Sequence, residues 1–130
     1  MAMHLLDAQG AEKLRLAMNC DPEFKLVSRD MTLNLAIEIG GERRLLKIRD
    51  GLWQSIGAFV PLSEPIDVTI TGDSPFWQKL LSPVPPPQFH NLYAGVRFGH
   101  CKVSGNSELY FAYYAAITRL VEVMREVENG

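Results

Sequence analysis

The chain has 130 residues, 47% of them hydrophobic and 22% charged, which is the length of one domain with a real core and the composition of an ordinary globular protein. A net charge of −2 and a pI near 5.9 give no electrostatic reason to expect nucleic acid or an anionic membrane surface as a partner. No apolar run approaches the roughly 18 residues of a membrane span. The first eighteen residues are charged and helical in pattern, unlike a secretory leader. With only Cys20 and Cys101, far apart, reduced thiols and a cytoplasmic location are expected.

In chain order, Gln9 to Met18 predicts an amphipathic helix carrying Leu14, Leu16, Ala17 and Met18, ended by Pro22. A short irregular piece follows. The period then changes to two in TLNLAIEIG, where Leu33, Leu35, Ile37 and Ile39 alternate with Thr32, Asn34, Ala36 and Glu38. Gly40-Gly41-Glu42 turns the chain into RRLLKIR, and Asp50-Gly51 is a two-residue hairpin signal leading into LWQSI. Arg43, Arg44, Lys47 and Arg49 read as a solvated strand face. A loop from Gly57 to Pro65 leads to the strand IDVTIT, with Ile66, Val68 and Ile70 on one face. Asp73 or Ser74 caps the next helix, Pro75 suits its first turn, and Phe76, Trp77, Leu80 and Leu81 line one side.

Then comes LLSPVPPPQFHNLYAG, from Leu80 to Gly95, with four of the eight prolines. VRFGHCKVSG predicts a fifth strand, on which Cys101 and Val103 share a face while His100 and Lys102 point the other way. Asn106 to Val127 predicts the longest helix, capped by Asn106 or Ser107, with a core stripe through Leu109, Tyr113, Ala116, Ile117, Leu120, Met124 and Val127. Tyr110, Phe111, Tyr114, Val121 and Val123 widen its apolar surface beyond what one sheet covers, so this helix must face something more. The order predicts a single α+β domain over residues 1–130: a five-stranded, largely antiparallel sheet with helices covering one face.

Two segments carry a family resemblance. IDVTITGDSPFWQKLLSP pairs a short strand with a polar turn and an aromatic-then-leucine helix. GHCKVSGN is a glycine-bounded late strand of alternating basic and apolar residues that leads into the last helix. With LNLAIEIGGERRLLKIRDG upstream, these segments resemble the sterol carrier protein type 2 family in order and spacing from about Met31 to Arg125. The resemblance implies that fold and an apolar tunnel for acyl chains or sterol-like lipids. It implies tunnel positions at Phe76, Leu80, Leu81, Cys101, Val103, Tyr113, Ile117 and Leu120. The connection before the late strand is longer than is usual in that family and adds Phe89, His90, Asn91, Tyr93 and Phe98. Fixed proline φ angles make it a semi-rigid wall, which puts Phe89, His90 and Tyr93 at the mouth. The terminal REVENG lacks the small-residue tail of the family's peroxisomal members.

Competing chemistry finds little support in the sequence. No nucleophile elbow, phosphate loop or dinucleotide fingerprint occurs, and Glu38 and Asp67 sit at solvent-facing strand positions without a paired role. His4, His90 and His100 lack metal-site spacing. The sequence therefore predicts no catalytic residues, no metal and no cofactor; a hydrolase or isomerase using His90 is the weakest alternative. The leading expectation is a non-catalytic binder of a fatty acid, acyl thioester or sterol-like lipid. The alternative is an interaction module with a filled core, making a homodimer or docking to an enzyme domain through the final helix.

Overall fold

The computed structural model describes residues 8–57 and 65–130. Helices α1 (Ala8–Cys20) and α2 (Pro22–Val27) precede strands β1 (Leu33–Ile39), β2 (Glu42–Arg49), β3 (Leu52–Gly57) and β4 (Val68–Gly72). Helices α3 (Ser74–Leu80) and α4 (Leu92–Arg97), strand β5 (Cys101–Gly105) and helices α5 (Ser107–Ala112) and α6 (Tyr114–Asn129) complete the chain. The sheet runs β3-β2-β1-β4-β5, and all its pairings are antiparallel except β1 with β4. The expected α+β architecture is therefore the one observed.

Both hairpin turns follow from their glycines. Gly40 and Gly41 have φ of 56° and 91°, and Asp50 and Gly51 have 51° and 79°. Two successive positive φ values match the twist of the flanking strands. At Gly51 a Cβ would lie 2.7 Å from the Ser28 carbonyl, so only glycine fits.

One sheet face carries Leu33, Leu35, Ile37, Leu46, Ile48, Val68 and Ile70, all at most 1% exposed, and the helices lie over it. The wide apolar surface of α6 is taken up within the fold. Helices α1 and α2 pack on it, Leu14, Met18 and Phe24 belong to the same core, and Val121 and Val123 are buried. The something more that α6 was expected to face therefore includes two helices of its own chain.

Helix α2 lies where the sequence predicts an irregular piece. Asp21 supplies its N-cap by accepting the Phe24 amide at 2.7 Å, and Pro22 follows at the first turn. Asp21 is also held by Arg119 of α6, whose Nε and Nη2 donate to its two oxygens at 2.9 and 2.8 Å. This fork joins the N-terminal helices to α6. The Arg119 hydrogen bonds hold the Asp21 carboxyl below its usual range. The sign is that of a depressed carboxylate: the stabilisation is complete above the unfolded pKa and is lost as pH falls through the folded one. Asp21→Asn keeps the cap and removes the charge. It is expected to unfold at lower urea than the parent at about pH 7, with a smaller gap at about pH 3. An equal gap at both pH values contradicts this.

Three further boundaries differ from the sequence reading. The fifth strand begins at Cys101, not Val96, because Asn91 accepts the Ala94 amide at 2.8 Å and starts α4. The predicted final helix is two helices, broken at Tyr113 (φ −107°, ψ 19°). Asp67 is not a bare surface acid, since its carboxylate accepts the Asn34 amide at 2.8 Å and fixes the start of β1 beside β4. Most of the loop expected from Gly57 to Pro65 lies outside the described residues, as does His4. No described helix is long and apolar enough to cross a membrane.

Candidate functional site

The layer between sheet and helices is closed at β1 and β2 but thins toward the edge strand β5. Cys101 and Val103, which continue the helix-facing side of Gly72 and Ile70, are only partly buried. The elements over this end are short. Helix α4 packs on β5, α5 reaches β4, and the chain bends at Tyr113 before α6 begins. Leu109, Tyr113 and Tyr114 are likewise half-buried, although each touches the core.

Aromatic rings form the wall of this end. Phe76 stands edge-on to Trp77 at 5.4 Å and lies 6.1 Å from Phe89. Phe89 stacks on His100 at 4.5 Å, and His100 Nε2 bonds Gln88 Oε1 at 2.8 Å. On the other side Tyr110 meets Tyr114 edge-on at 5.7 Å. Edge-to-face packing of this kind favours a fixed arrangement of rings over a fluid one. Gly95 lets α4 close on this wall, because a Cβ there would lie 2.7 Å from the Phe76 ring and 3.0 Å from Cys101 Sγ. That close approach explains a glycine inside a helix.

The electrostatics are those of a dry site. Burial pushes the Cys101 thiol up to about 11. Burial, with Tyr114 and Cys101 beside it, pushes the Tyr110 hydroxyl up to about 12. Both groups are neutral hydrogen-bonding partners at physiological pH, not nucleophiles. Its raised pKa makes Cys101 a poor nucleophile at about pH 8, whereas Cys20 is exposed. A thiol-disulfide reagent is expected to titrate one cysteine rapidly and the other slowly; equal rates contradict a dry β5 end. Among the described residues, no group of three His, Cys, Asp or Glu could hold a metal ion.

The proline segment is tied down at both ends by one side chain. Arg125 of α6 donates through Nε and Nη2 to the Leu80 carbonyl at 3.0 and 2.8 Å, and through Nη2 to the His90 carbonyl at 2.9 Å. Asn129 adds a bond to the Leu81 carbonyl at 2.7 Å. The segment is thus a loop with its ends pinned to the last helix.

Of the positions expected to bind ligand, Phe76, Phe89, Cys101, Val103 and Tyr113 border or wall the thin end. Leu80, Leu81, Ile117 and Leu120 are at most 2% exposed and lie in the closed core. His90 is exposed and meets the fold through its backbone carbonyl, and Tyr93 is 57% exposed on the outward side of α4. The ring that does join the wall, His100, is not among the expected positions, nor are Gly95, Tyr110 and Tyr114. Strand alternation turns His100 away from Cys101 in the sequence, but it precedes β5 and is free of that alternation.

No protein-family model and no curated protein sequence matches the chain. Solved structures do. A crystal structure of sterol carrier protein 2 has a TM-score of 0.76 at 18% identity, with 95% of this chain and 98% of that one covered. A conserved hypothetical protein of Thermus thermophilus, whose description suggests a sterol carrier protein, has a TM-score of 0.75 at 19% identity over 99% and 93% of the two chains. UbiJ-SCP2, described as a ubiquinone synthesis protein, has a TM-score of 0.59 at 20% identity over 88% and 93%. The chain therefore has the sterol carrier protein 2 fold, as its sequence resemblance implied.

Proposed function

We propose that the protein is a non-catalytic carrier of an apolar ligand, a fatty acid, acyl thioester or sterol-like lipid, bound between the sheet and the helices at the β5 end. The observation that carries this reading is the gradient of cover along one sheet face. Residues of β1 and β4 facing the helices are sealed, and their continuation on β5 is left half-covered beneath a ring of aromatic side chains. Apolar surface of this kind gains about 25 cal/mol per Å² when a guest removes it from water, and the Tyr110 and Tyr114 hydroxyls can hydrogen-bond one polar end group. Shielding the chain from water is the whole mechanism. Release requires the proline segment or α4 to move, and Arg125 is the restraint on that motion. Free thiols at Cys20 and Cys101 suit a cytoplasmic carrier.

A second reading is an interaction module that forms a homodimer or docks on an enzyme domain. It rests on Phe111, 70% exposed on α5, rather than on α6, whose apolar side is covered within the fold. Titration with a fluorescent fatty acid tests the first reading. Saturable binding at micromolar concentration is expected. A monomer by light scattering that also takes up no fatty acid contradicts both readings.

A further inference from the structure

The near-neutral net charge hides a strong segregation. All fifteen acidic residues lie outside residues 74–107, and this stretch holds Lys79, Arg97 and Lys102 with His90 and His100. The same stretch carries four exposed large apolar side chains: Val84 at 86%, Tyr93 at 57%, Val96 at 42% and Phe98 at 50%. Their placement follows from α4, a helix that is apolar on both sides. Leu92 and Gly95 are buried against the fold, while Tyr93, Val96 and Arg97, at i, i+3 and i+4, face outward. Arg97 lies 6.0 Å from the Phe98 ring and its Nη1 donates to the Tyr93 hydroxyl at 3.4 Å, so cation and rings form one unit. Lys79 sits 4.9 Å over the Phe89 ring beside it. The flanking acids do not neutralise this surface from within. Asp73 is engaged as the N-cap of α3, and Glu108 stands in the first turn of α5.

We propose that α4 and the proline segment dock on a lipid bilayer containing anionic phospholipid, with Val84, Tyr93, Val96 and Phe98 entering the interface and Arg97 and Lys79 meeting the headgroups. Charge complementarity selects that occupant: a stretch whose charged side chains are all cationic matches a negative lipid surface. The form of the apolar groups agrees, because they project singly from a loop, a helix and a turn. Single protrusions suit the soft interface of a bilayer, where amphipathic rings settle at headgroup level. A stable protein partner needs a broad, complementary patch instead. Docking stands apart from the identity of the cargo, and fatty-acid uptake measured on the same samples separates failure of one from failure of the other.

The test is co-sedimentation with large vesicles of phosphatidylcholine alone and of phosphatidylcholine mixed with phosphatidylglycerol, at low and high salt. The protein is expected to partition onto the mixed vesicles at least about tenfold better than onto neutral ones, an excess lost at high salt. Val96→Asp with Phe98→Asp, and separately Arg97→Glu with Lys79→Glu, are each expected to lower that partition about tenfold while the melting curve is kept. These side chains are outside the core, and circular dichroism verifies the fold of each variant. Absence of partition onto either vesicle overturns the proposal, as does partition that neither variant changes. Capture on polyglutamate without vesicle binding overturns it in favour of an acidic protein partner.

Discussion

Trp77→Ala is expected to lower the unfolding free energy by about 3–5 kcal/mol, the largest stability loss of any single substitution considered. Trp77 is fully buried, and its indole N–H donates to the Glu38 carbonyl at 3.1 Å, tying α3 to β1. Gly72 is shaped around it, since a Cβ there would lie 3.0 Å from Trp77 Nε1 and 2.5 Å from the Phe76 ring. Truncation therefore opens a cavity in the core, and it removes the hydrogen bond that ties α3 to β1. Phe76 loses its edge-on neighbour at the same time, so the aromatic wall of the candidate site loosens with the core. Thermal melting by circular dichroism is expected to show a fall of about 10–20 °C. A fall of only a few degrees would mean that α3 is not anchored by this side chain.

The second large effect is on binding. Val103→Trp is expected to weaken uptake of a fluorescent fatty acid by about tenfold or more, with the melting temperature within a few degrees of the parent. Val103 faces the helix layer from the edge strand and is only partly buried, so a larger ring can occupy that space without forcing a packed core apart. Denying about 60 Å² of apolar surface to the guest removes about 1.5 kcal/mol, which is about tenfold in affinity. Charged substitutions at Leu80 or Ile117 would test something else. Solvent does not reach either position, and a carboxylate there would unfold the protein before it reported on a ligand. Unchanged affinity in Val103→Trp places the ligand elsewhere.

The strands were legible because their signals are local. The alternation of Leu33, Leu35, Ile37 and Ile39 and the glycine-led turns at Gly41 and Gly51 state both face and register. The family resemblance rested on the same order of elements and led to the right fold. What sequence pattern misplaced was decided by single caps. Asp21 and Asn91 each start a short helix by accepting one amide, and neither α2 nor α4 has the length for a periodic signal. The break at Tyr113 has no side-chain cap at all, and an unbroken run of apolar residues conceals it.

The site was half-legible for a related reason. Apolar positions on α3, β5 and the final helix could be nominated, but which of them are sealed and which half-open depends on how far α4 and α5 reach over the sheet. That is a tertiary quantity. Gly95 announces the close approach of α4 only once Phe76 and Cys101 are seen beside it. Likewise Arg125, one more charged residue of a long helix in the sequence, becomes the clamp of the proline segment only when Leu80 and His90 are brought to its side. In the sequence the proline segment reads as a wall; its exposed Val84 and the outward face of α4 give it a second, outward-looking side.

Native mass spectrometry of the purified protein, followed by solvent extraction, tests the central claim most directly. A carrier is predicted to retain a discrete apolar adduct that is lost on extraction and restored by added fatty acid, and in Val103→Trp restored only at about tenfold higher fatty acid. A protein that runs only at its bare mass, before and after incubation with fatty acid, contradicts the carrier account.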